Sequence, residues 1–398
     1  MQQFTKQQKP KLHLADILRK HLKDYQNAYP LPPEQHRIVS HLLNCRTPTL
    51  GGHLHRCTHC GDERIRYHSC RNRHCPTCQH LPRERWIEDR KSELLPTAYF
   101  HIVFTLPHEL NPLILKNKSV MLTILFKAAA ETLLTFGRDK LGGKLGFVAV
   151  LHTWDQQLKS HFHLHCLVAG GAVCSKTKQW TSAKDTYLFN QEALSLVFRG
   201  KFIHALNRAI SKGKLDGDGP YQQFKARLYK HKWVVSVRKP IKEPQHVLQY
   251  LARYTHRVAI ANARLTALED GNVSFRYKDR KKNILKTATI SAVEFIRRFL
   301  LHSLPAGFVR IRHYGFLANR NRTANLNSIR RLLQLPCQLL KTSPSLQEFM
   351  AKLTGIDITR CPSCHKGTMH LIAHIPRHRP HHPHGLIRPP NLLTAAIG

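Results

Sequence analysis

GFVAVLHTWDQQLKSHFHLHCLVAGG (146–171) decides the fold of this chain. It reads as two strands, 146–156 and 161–171. Their link, Gln157 to Ser160, is short and polar and suits an antiparallel hairpin. In the second strand His161, His163 and His165 alternate with Phe162, Leu164 and Cys166. Successive side chains of a strand point to opposite faces, so the three imidazoles share one face and the apolar residues the other. Imidazoles on one strand face make a ready divalent-metal site with open positions. The bland alternative is surface histidine, since the chain has 29 His. Against that, the strand runs on as CLVAGG and reads as buried, where an unpartnered polar ring is costly.

The surrounding sequence extends this into an α/β domain over 98–315. AYFHIVFTL (98–106) is an alternating strand closed by Pro107. Residues 111–140 carry helical apolar spacing. KWVVSVRKP (232–240) is a further strand, and Pro244 opens a helix through PQHVLQYLARYTHRVAIA. VSFRYKDRKKNILKTATI (273–290) reads as a basic hairpin. SAVEFIRRFLLHSL (291–304) is a helix with Ser291 as N-cap and Glu294 completing a capping box. Upstream, the Pro30-Leu-Pro32-Pro33 break splits 16–41 into two short helices. RERWIEDRKSELL (83–95) is an amphipathic helix ended by Pro96. The expected division is 1–95, 98–315 and 316–398, the last a basic region with a cysteine knuckle and a Pro/His-rich tail.

Charge names the partner class. The 398 residues include 63 Lys and Arg against 24 Asp and Glu, a formal net charge of +39. Such an excess points to a polyanion, nucleic acid above all. A 42% hydrophobic content excludes a disordered basic tail. No apolar run approaches the roughly 18 residues that span a bilayer, and the basic start lacks a secretory apolar core. The expectation is a cytoplasmic, nucleoid-associated protein with no membrane partner. The scarcity of carboxylates disfavours a nuclease built on several acidic ligands. GRDKLGGKL (137–145) lacks the spacing and the Ser/Thr of a phosphate-binding loop, so no nucleotide cofactor is expected.

With no export signal, the 11 clustered Cys imply metal rather than disulfides. Cys57-Thr-His-Cys60 and Cys75-Pro-Thr-Cys78 are two C-x2-C knuckles with ribbon-like spacing, expected to close one structural Zn²⁺ site. Cys70, with His74, His53, His55 and His59 nearby, could build a second site or replace a ligand. Cys361-Pro-Ser-Cys364 is a third knuckle, followed by His370 and His374 at helix-compatible spacing. Cys45, Cys166, Cys174 and Cys337 read as core singletons. Arg71 and Arg73, beside the second knuckle, are expected to face DNA phosphates.

Tyr250 and Tyr254 lie i, i+4 on the helix that Pro244 opens, with Arg253, His256 and Arg257 alongside. Alone they would read as core aromatics. On a cationic helix, near a metal-binding strand, a tyrosine hydroxyl is a candidate nucleophile for a phosphodiester. Attack would leave a phosphotyrosine and a free 3′-OH. Arg253, Arg257, Lys278, Arg280, Lys281 and Lys282, interleaved with Phe275 and Tyr277, are the candidate strand-binding residues.

The HLHC strand, the Tyr250-x3-Tyr254 helix, the SCRNRHCPTCQ segment and TISAVEFIRRFLLHSLPAGFVRIRHYGFLANR (289–320) resemble the two-tyrosine HUH transposases of the insertion sequence 91 family. The resemblance covers roughly 35–365. It implies an α+β fold: an HUH endonuclease domain with an antiparallel sheet flanked by helices, preceded by a small zinc-ribbon-like, DNA-recognising domain. It implies Mg²⁺ or Mn²⁺ on His163 and His165, with His161, on the same face, as candidate third ligand. It further implies that Tyr250 and Tyr254 nick single-stranded DNA at the element's ends, hold the 5′-phosphate and support rolling-circle strand transfer. With no helicase segment evident, strand separation would fall to a host helicase or the replication machinery. The rivals are a replication initiator or relaxase with the same chemistry, and a non-catalytic zinc-ribbon DNA-binding protein.

Overall fold

The computed structural model describes residues 12–378, apart from 175, 185, 216–220, 242, 244–245, 248–249, 251–256, 280–281 and 338–343, and the side chains of 221–224. The chain divides into two compact units, with breaks after Leu43, Cys70 and Phe349. The knuckles at 57–60 and 361–364, assigned by sequence to separate domains, share the smaller unit. The one at 75–78 belongs to the larger.

The smaller unit is a three-stranded antiparallel sheet. Its central strand is β1 (Gly52–Cys57), flanked by β2 (Glu63–Tyr67) and by the strand Met369–Ile375. The turn between β1 and β2 is closed by Cys57 N–H donating to the Asp62 carbonyl at 2.9 Å. His370 and His374, spaced as if for a helix, lie on the Met369–Ile375 strand instead, opposite Arg56 and His53. Among the described residues, this unit's buried apolar cluster is only Cys57, Cys361 and Met369, with Cys364 packed against it. A core that small cannot offset chain entropy without a covalent or metal staple.

The larger unit is built on a wholly antiparallel sheet in the order β11-β4-β5-β3-β7, with β6 also paired to β5. These are β3 (Tyr99–Thr105), β4 (Lys144–Trp154), β5 (Ser160–Val173), β6 (Trp180–Ser182), β7 (Val234–Val237) and β11 (Ile311–Gly315). The hairpin foreseen at 146–171 is β4 and β5. Phe162, Leu164, Cys166 and Val168 of β5 face a core shared with Phe100, Ile102 and Phe104 of β3. The helices Lys118–Leu141 and Gln191–Ser211 cover this face. Phe198 and Phe202 of the second helix enclose Trp233, with ring centroids 5.4 and 5.3 Å from its own. Each such ring, fully buried, contributes about 2–3 kcal/mol. The opposite face carries a smaller cluster of Tyr99, Val148, Val150, Leu167, Ala169 and Phe316. Both faces of β4 and β5 are covered, hence their near-continuous burial.

Lys118–Leu141 is long and apolar enough by composition to cross a membrane, a feature the sequence reading passed over. Its Leu122, Leu125, Phe126, Leu133 and Phe136 are buried in the sheet core. At the end of β11, Gly315 has φ +66°, and an added Cβ would fall 1.5 Å from the Leu145 carbonyl oxygen. Glycine is what lets the two backbones meet there.

A second antiparallel sheet, β10-β9-β8, is formed by β8 (Leu265–Glu269), β9 (Asn272–Asp279) and β10 (Ile284–Ser291). Ser291 caps the helix Ala292–Leu301 by accepting from the Glu294 N–H. The helix Leu14–Ala28 packs against that helix. Leu14–Ala28 and Pro33–Leu43 are the two helices expected from the proline break, and both belong to the larger unit.

His302 and His313 make this unit acid-sensitive. Burial pushes both imidazoles down to about 4. Unfolded histidine takes a proton near pH 6.5, so between 6.5 and 4 the unfolded chain binds more protons than the folded one. Their stabilisation is complete above pH 6.5 and lost as pH falls towards 4. Thermal melts from pH 7.5 to 4.5 should show a falling Tm; a Tm flat across that window would contradict this.

Candidate active site and metal centres

Strand register assembles the imidazole cluster. His163 of β5 lies directly opposite His152 of β4, and His165 pairs with Val150 on β4 and Val103 on β3. Cross-strand neighbours on one face are close enough for their side chains to meet. His152, His163 and His165 accordingly place a ring nitrogen each within 4.8 Å of one another. His163 Nε2 and His165 Nε2 are 3.1 Å apart.

The expected third member, His161, lies outside this group. Its backbone carbonyl serves the cluster instead, accepting from His163 Nδ1 at 2.8 Å. That bond fixes the tautomer and leaves Nε2 bare for a ligand, as in metal-binding histidines generally. The sequence reading missed His152. Its signal was available: a polar ring in an apolar strand, one step across the predicted hairpin.

A second residue was missed on β3. His101 lies on the same face of the sheet, two residues from Val103. Its Nε2 is 2.8 Å from His165 Nδ1, and its Nδ1 is 2.5 Å from the Tyr250 hydroxyl. One continuous chain thus joins Tyr250, His101, His165 and His163. Burial holds His165 well below its ordinary value, with His152, His163, His101 and Arg257 adding to the effect. Burial, reinforced by Arg238, takes His101 to about 3. These rings are neutral at working pH, the form that ligates metal.

The cluster opens into a cleft of about 440 Å³ lined by His152, His161, His163, His165, Arg257 and Lys278 among others. Tyr277 and Asp279 line it as well, so β9 walls the site. Asp155, at the end of β4, is occupied in the turn: its Oδ1 accepts the Gln157 and Lys159 N–H groups, both at 2.8 Å. Arg310 donates to the Arg257 carbonyl at 2.9 Å, and Arg264 to the carbonyls of Gln156 and Arg276. Burial lowers both guanidinium groups to about 10. Arg257 and Lys278 line the cleft together with Asp155 and Asp279, and the guanidinium groups of Arg264 and Arg310 add positive charge close by.

The donor set fits a divalent ion. Two nitrogens 3.1 Å apart match ligand bonds of about 2.1 Å at roughly a right angle. Three imidazoles with no carboxylate among them suit a borderline ion such as Zn²⁺ or Fe²⁺ better than Mg²⁺.

Other expected residues divide. Arg73 does not face phosphates: its guanidinium donates to the carbonyls of Leu304, Pro305 and Phe308, and it is spent holding that loop. Arg71 is exposed, with φ +52°. Lys278 and Lys282 are exposed, and Lys278 lines the cleft. Tyr254, Arg253, Arg280 and Lys281 lie outside the described residues.

The first cysteine site is also recomposed. Cys57 and Cys60 are joined by Cys361 and Cys364, not by Cys75 and Cys78. Sγ of Cys57 is 3.7 Å from that of Cys364, and Cys60 is 3.7 Å from Cys361. A tetrahedron with metal–sulfur bonds of about 2.3 Å has edges of about 3.8 Å, so the four thiols fit zinc. Backbone N–H groups of His59, Ser363 and Gly367 point at Cys57, Cys361 and Cys364, each at 3.4 Å. The Gly367 and Lys366 amides bring the Cys364 thiol down to about 6. A Cβ on Gly367 would fall 2.5 Å from Cys57 Sγ, so only glycine closes the knuckle there. Cys75 and Cys78 are buried in the larger unit. In the smaller unit, the Cys70 N–H points at Cys45 Sγ, 3.5 Å away.

Comparison with known proteins identifies the family. A family model described as "Putative transposase" matches residues 146–324. Another, described as "Transposase zinc-binding domain", matches 17–106. "Putative transposase y4qJ" of Sinorhizobium fredii (strain NBRC 101917 / NGR234) is 44% identical over 372 residues, 89% of this chain and 94% of that protein. "Transposase for insertion sequence element IS801" of Pseudomonas savastanoi pv. phaseolicola is 25% identical over 346 residues, 82% of this chain and 80% of its own. No solved structure matches. An α+β protein with a zinc-binding domain and this likeness is a transposase. It belongs to the insertion sequence 91 family.

Proposed function

We propose that this transposase nicks single-stranded DNA at the ends of its element with Tyr250 as nucleophile. One observation carries the reading: the Tyr250 hydroxyl is hydrogen-bonded to His101, whose other ring nitrogen meets His165 of the histidine cluster. The tyrosine oxygen attacks the phosphorus, the bond from phosphorus to the 3′-oxygen breaks, and that oxygen leaves with a proton. The products are a 5′-phosphotyrosine and a free 3′-OH, with the phosphodiester's energy conserved for strand transfer. Tyr254 is the second nucleophile in this reading, allowing a second strand to be engaged while the first bond persists. His152, His163 and His165 would hold a divalent ion, which would supply Lewis acidity to the scissile phosphate. Arg257 and Lys278 neutralise the backbone, and Tyr277 offers a stacking face for a base. Host proteins supply the separated strand. The likeness to the IS801 transposase supports an insertion-sequence element as the DNA on which this chain acts.

The test is incubation with Mn²⁺ and oligonucleotides from the element's ends, read as a covalent protein–DNA band on a denaturing gel. The band should form with native protein and vanish in the Tyr250→Phe/Tyr254→Phe double variant. A band that survives in the double variant rejects the tyrosine mechanism.

Binding should be steeply salt-dependent. Each phosphate contact on a single strand adds about 0.7 to the slope of log K against log salt. Lys278→Ala should therefore flatten the slope by about 0.7 and weaken all sequences alike. An unchanged slope would remove Lys278 from the strand path.

A further inference from the structure

We propose that the free end of the β9–β10 ribbon holds the fork where duplex DNA gives way to the single strand entering the histidine cleft, with Ile284 and Leu285 stacked on the last base pair. The proposal rests on the reading above that a single strand enters this cleft, and on nothing about metal or nucleophile.

The ribbon follows from strand register. β8 pairs with β9 only from Glu269, opposite Asn272, to Leu265, opposite Phe275. β9 and β10 go on pairing past that point, from Arg276 opposite Thr287 to Asp279 opposite Ile284. β10 is the edge strand of the sheet, so the outer halves of β9 and β10 form a two-stranded ribbon with no third strand beside it. Such a ribbon is marginal in water by itself. This one is held at its root. Val273 and Phe275 are buried, and the Phe275 ring lies 5.8 Å from that of Phe295 on the helix Ala292–Leu301. The Arg264 guanidinium sits over the Phe275 ring and donates to the Gln156 carbonyl, in the turn between β4 and β5. The ribbon is thereby tied to the hairpin that carries His152, His163 and His165.

Its free end carries the wrong residues for water. Leu285 is 72% exposed, the most of any large apolar side chain among the described residues, and Ile284 is 48% exposed. A single exposed apolar side chain is ordinary. Two in succession on a strand point to opposite faces, so the ribbon cannot hide both by leaning on the protein. Leu285 lies directly opposite Lys278, and Ile284 opposite Asp279. Lys278 and Asp279 line the histidine cleft. The apolar pair therefore stands one strand spacing, about 4.8 Å, outside the lip of the cleft.

Charge identifies what covers it. The described part of the free end has Arg276, Lys278, Lys282 and Lys286 against Asp279 alone, and Lys286 pairs with that carboxylate at 2.7 Å. Arg276 donates to the Ala263 carbonyl, while Lys278 and Lys282 are exposed. An apolar tip ringed by cations matches a base-pair face flanked by two phosphate backbones. Leu and Ile are among the side chains that proteins wedge against base steps. At a fork the last base pair presents an apolar face with nothing stacked on it. Ile284 and Leu285 cover that face, Lys278 and Lys282 meet the parting backbones, and one strand runs on over the lip into the cleft. The ribbon would then resist re-annealing and fix how many nucleotides separate the duplex from the scissile phosphate.

The test uses full-length Tyr250→Phe/Tyr254→Phe protein without added divalent ion, so that binding is read with no cleavage. Fluorescence anisotropy compares a single strand, a blunt duplex and a fork built from both. The fork should bind about tenfold tighter than either, the scale of one base-stacking contact. Adding Ile284→Ser/Leu285→Ser, at exposed positions, should erase that preference while Tm, zinc content and single-strand affinity stay unchanged. With the photocrosslinker p-benzoylphenylalanine in place of Leu285, crosslinks should fall on the last base pair. A fork preference absent from the starting protein, or surviving Ile284→Ser/Leu285→Ser, overturns the proposal. So do crosslinks confined to the duplex interior or to the single strand, and so does a loss of single-strand affinity equal to the loss for the fork. A fork preference that Ile284→Ser/Leu285→Ser erases, in a protein whose native form yields no covalent band with Mn²⁺, supports the proposal and rejects the tyrosine mechanism alone.

Discussion

His163→Ala should lower adduct formation by about a thousandfold or more, with single-strand affinity within about twofold of wild type. The asymmetry follows from what the side chain does. His163 Nε2 faces His165 Nε2, while Arg257 and Lys278 provide the charge that draws the strand in. Losing one of three donors removes most ion occupancy, and Lewis acidity is worth several kcal/mol of barrier. At 1.36 kcal/mol per decade, about 4 kcal/mol is a thousandfold. His152→Ala should cost about 10–100-fold, because His163 and His165, whose Nε2 atoms face each other at 3.1 Å, remain as a close pair. His161→Ala should be nearly silent, since its contribution is the backbone carbonyl that accepts from His163. Single-turnover assays at fixed Mn²⁺ order the three variants. If His161→Ala falls as far as His163→Ala while His152→Ala stays active, the assignment of the third ligand is wrong.

Cys361→Ser is expected to release one zinc equivalent and to unfold the smaller unit. Structural zinc contributes roughly 10–16 kcal/mol of apparent binding energy in small domains. The described apolar core of this unit, essentially two cysteines and a methionine, has nothing comparable to replace it. Metal content by atomic absorption reads the first effect, and protease cleavage within 44–70 reads the second. Gly367→Ala should act in the same direction, because its methyl group would collide with Cys57 Sγ. Wild-type zinc content in Cys361→Ser would show that the 361–364 knuckle is no ligand pair.

Local periodicity made much of the larger unit legible. Alternation in 146–171 identified the hairpin and put His163 and His165 on one face, because a strand's side-chain period needs no tertiary information. The Ser291 cap and the proline break were equally local. What failed was whatever depended on register or on distance along the chain. His152 meets His163 through the pairing of β4 with β5, which is irregular between His152 and Trp154. His101 joins through β3, some 60 residues upstream of His165. The spacing of Cys57 to Cys78 suggested one ribbon, yet the partners of Cys57 and Cys60 came from the far end of the chain. His370 and His374 share a face at a separation of four in either a helix or a strand, so their spacing could not choose between them. Arg73 shows the limit of reading charge alone, since its guanidinium is satisfied by three carbonyls.

The pairing of Cys60 with Cys361 across 301 residues has a consequence for synthesis on the ribosome. At about 5–20 residues per second, the nascent chain carries Cys57 and Cys60 for roughly 15–60 s before their partners are made. In that interval β1 and β2 form at most a lone hairpin, which is marginal in water. The larger unit's sheet, complete by Gly315, is free to form in the meantime. Completion of the four-thiol centre therefore reports that translation has passed residue 364. A messenger cut short by a premature stop would yield a chain with the histidine cluster encoded but the smaller unit unclosed, a target for proteolysis.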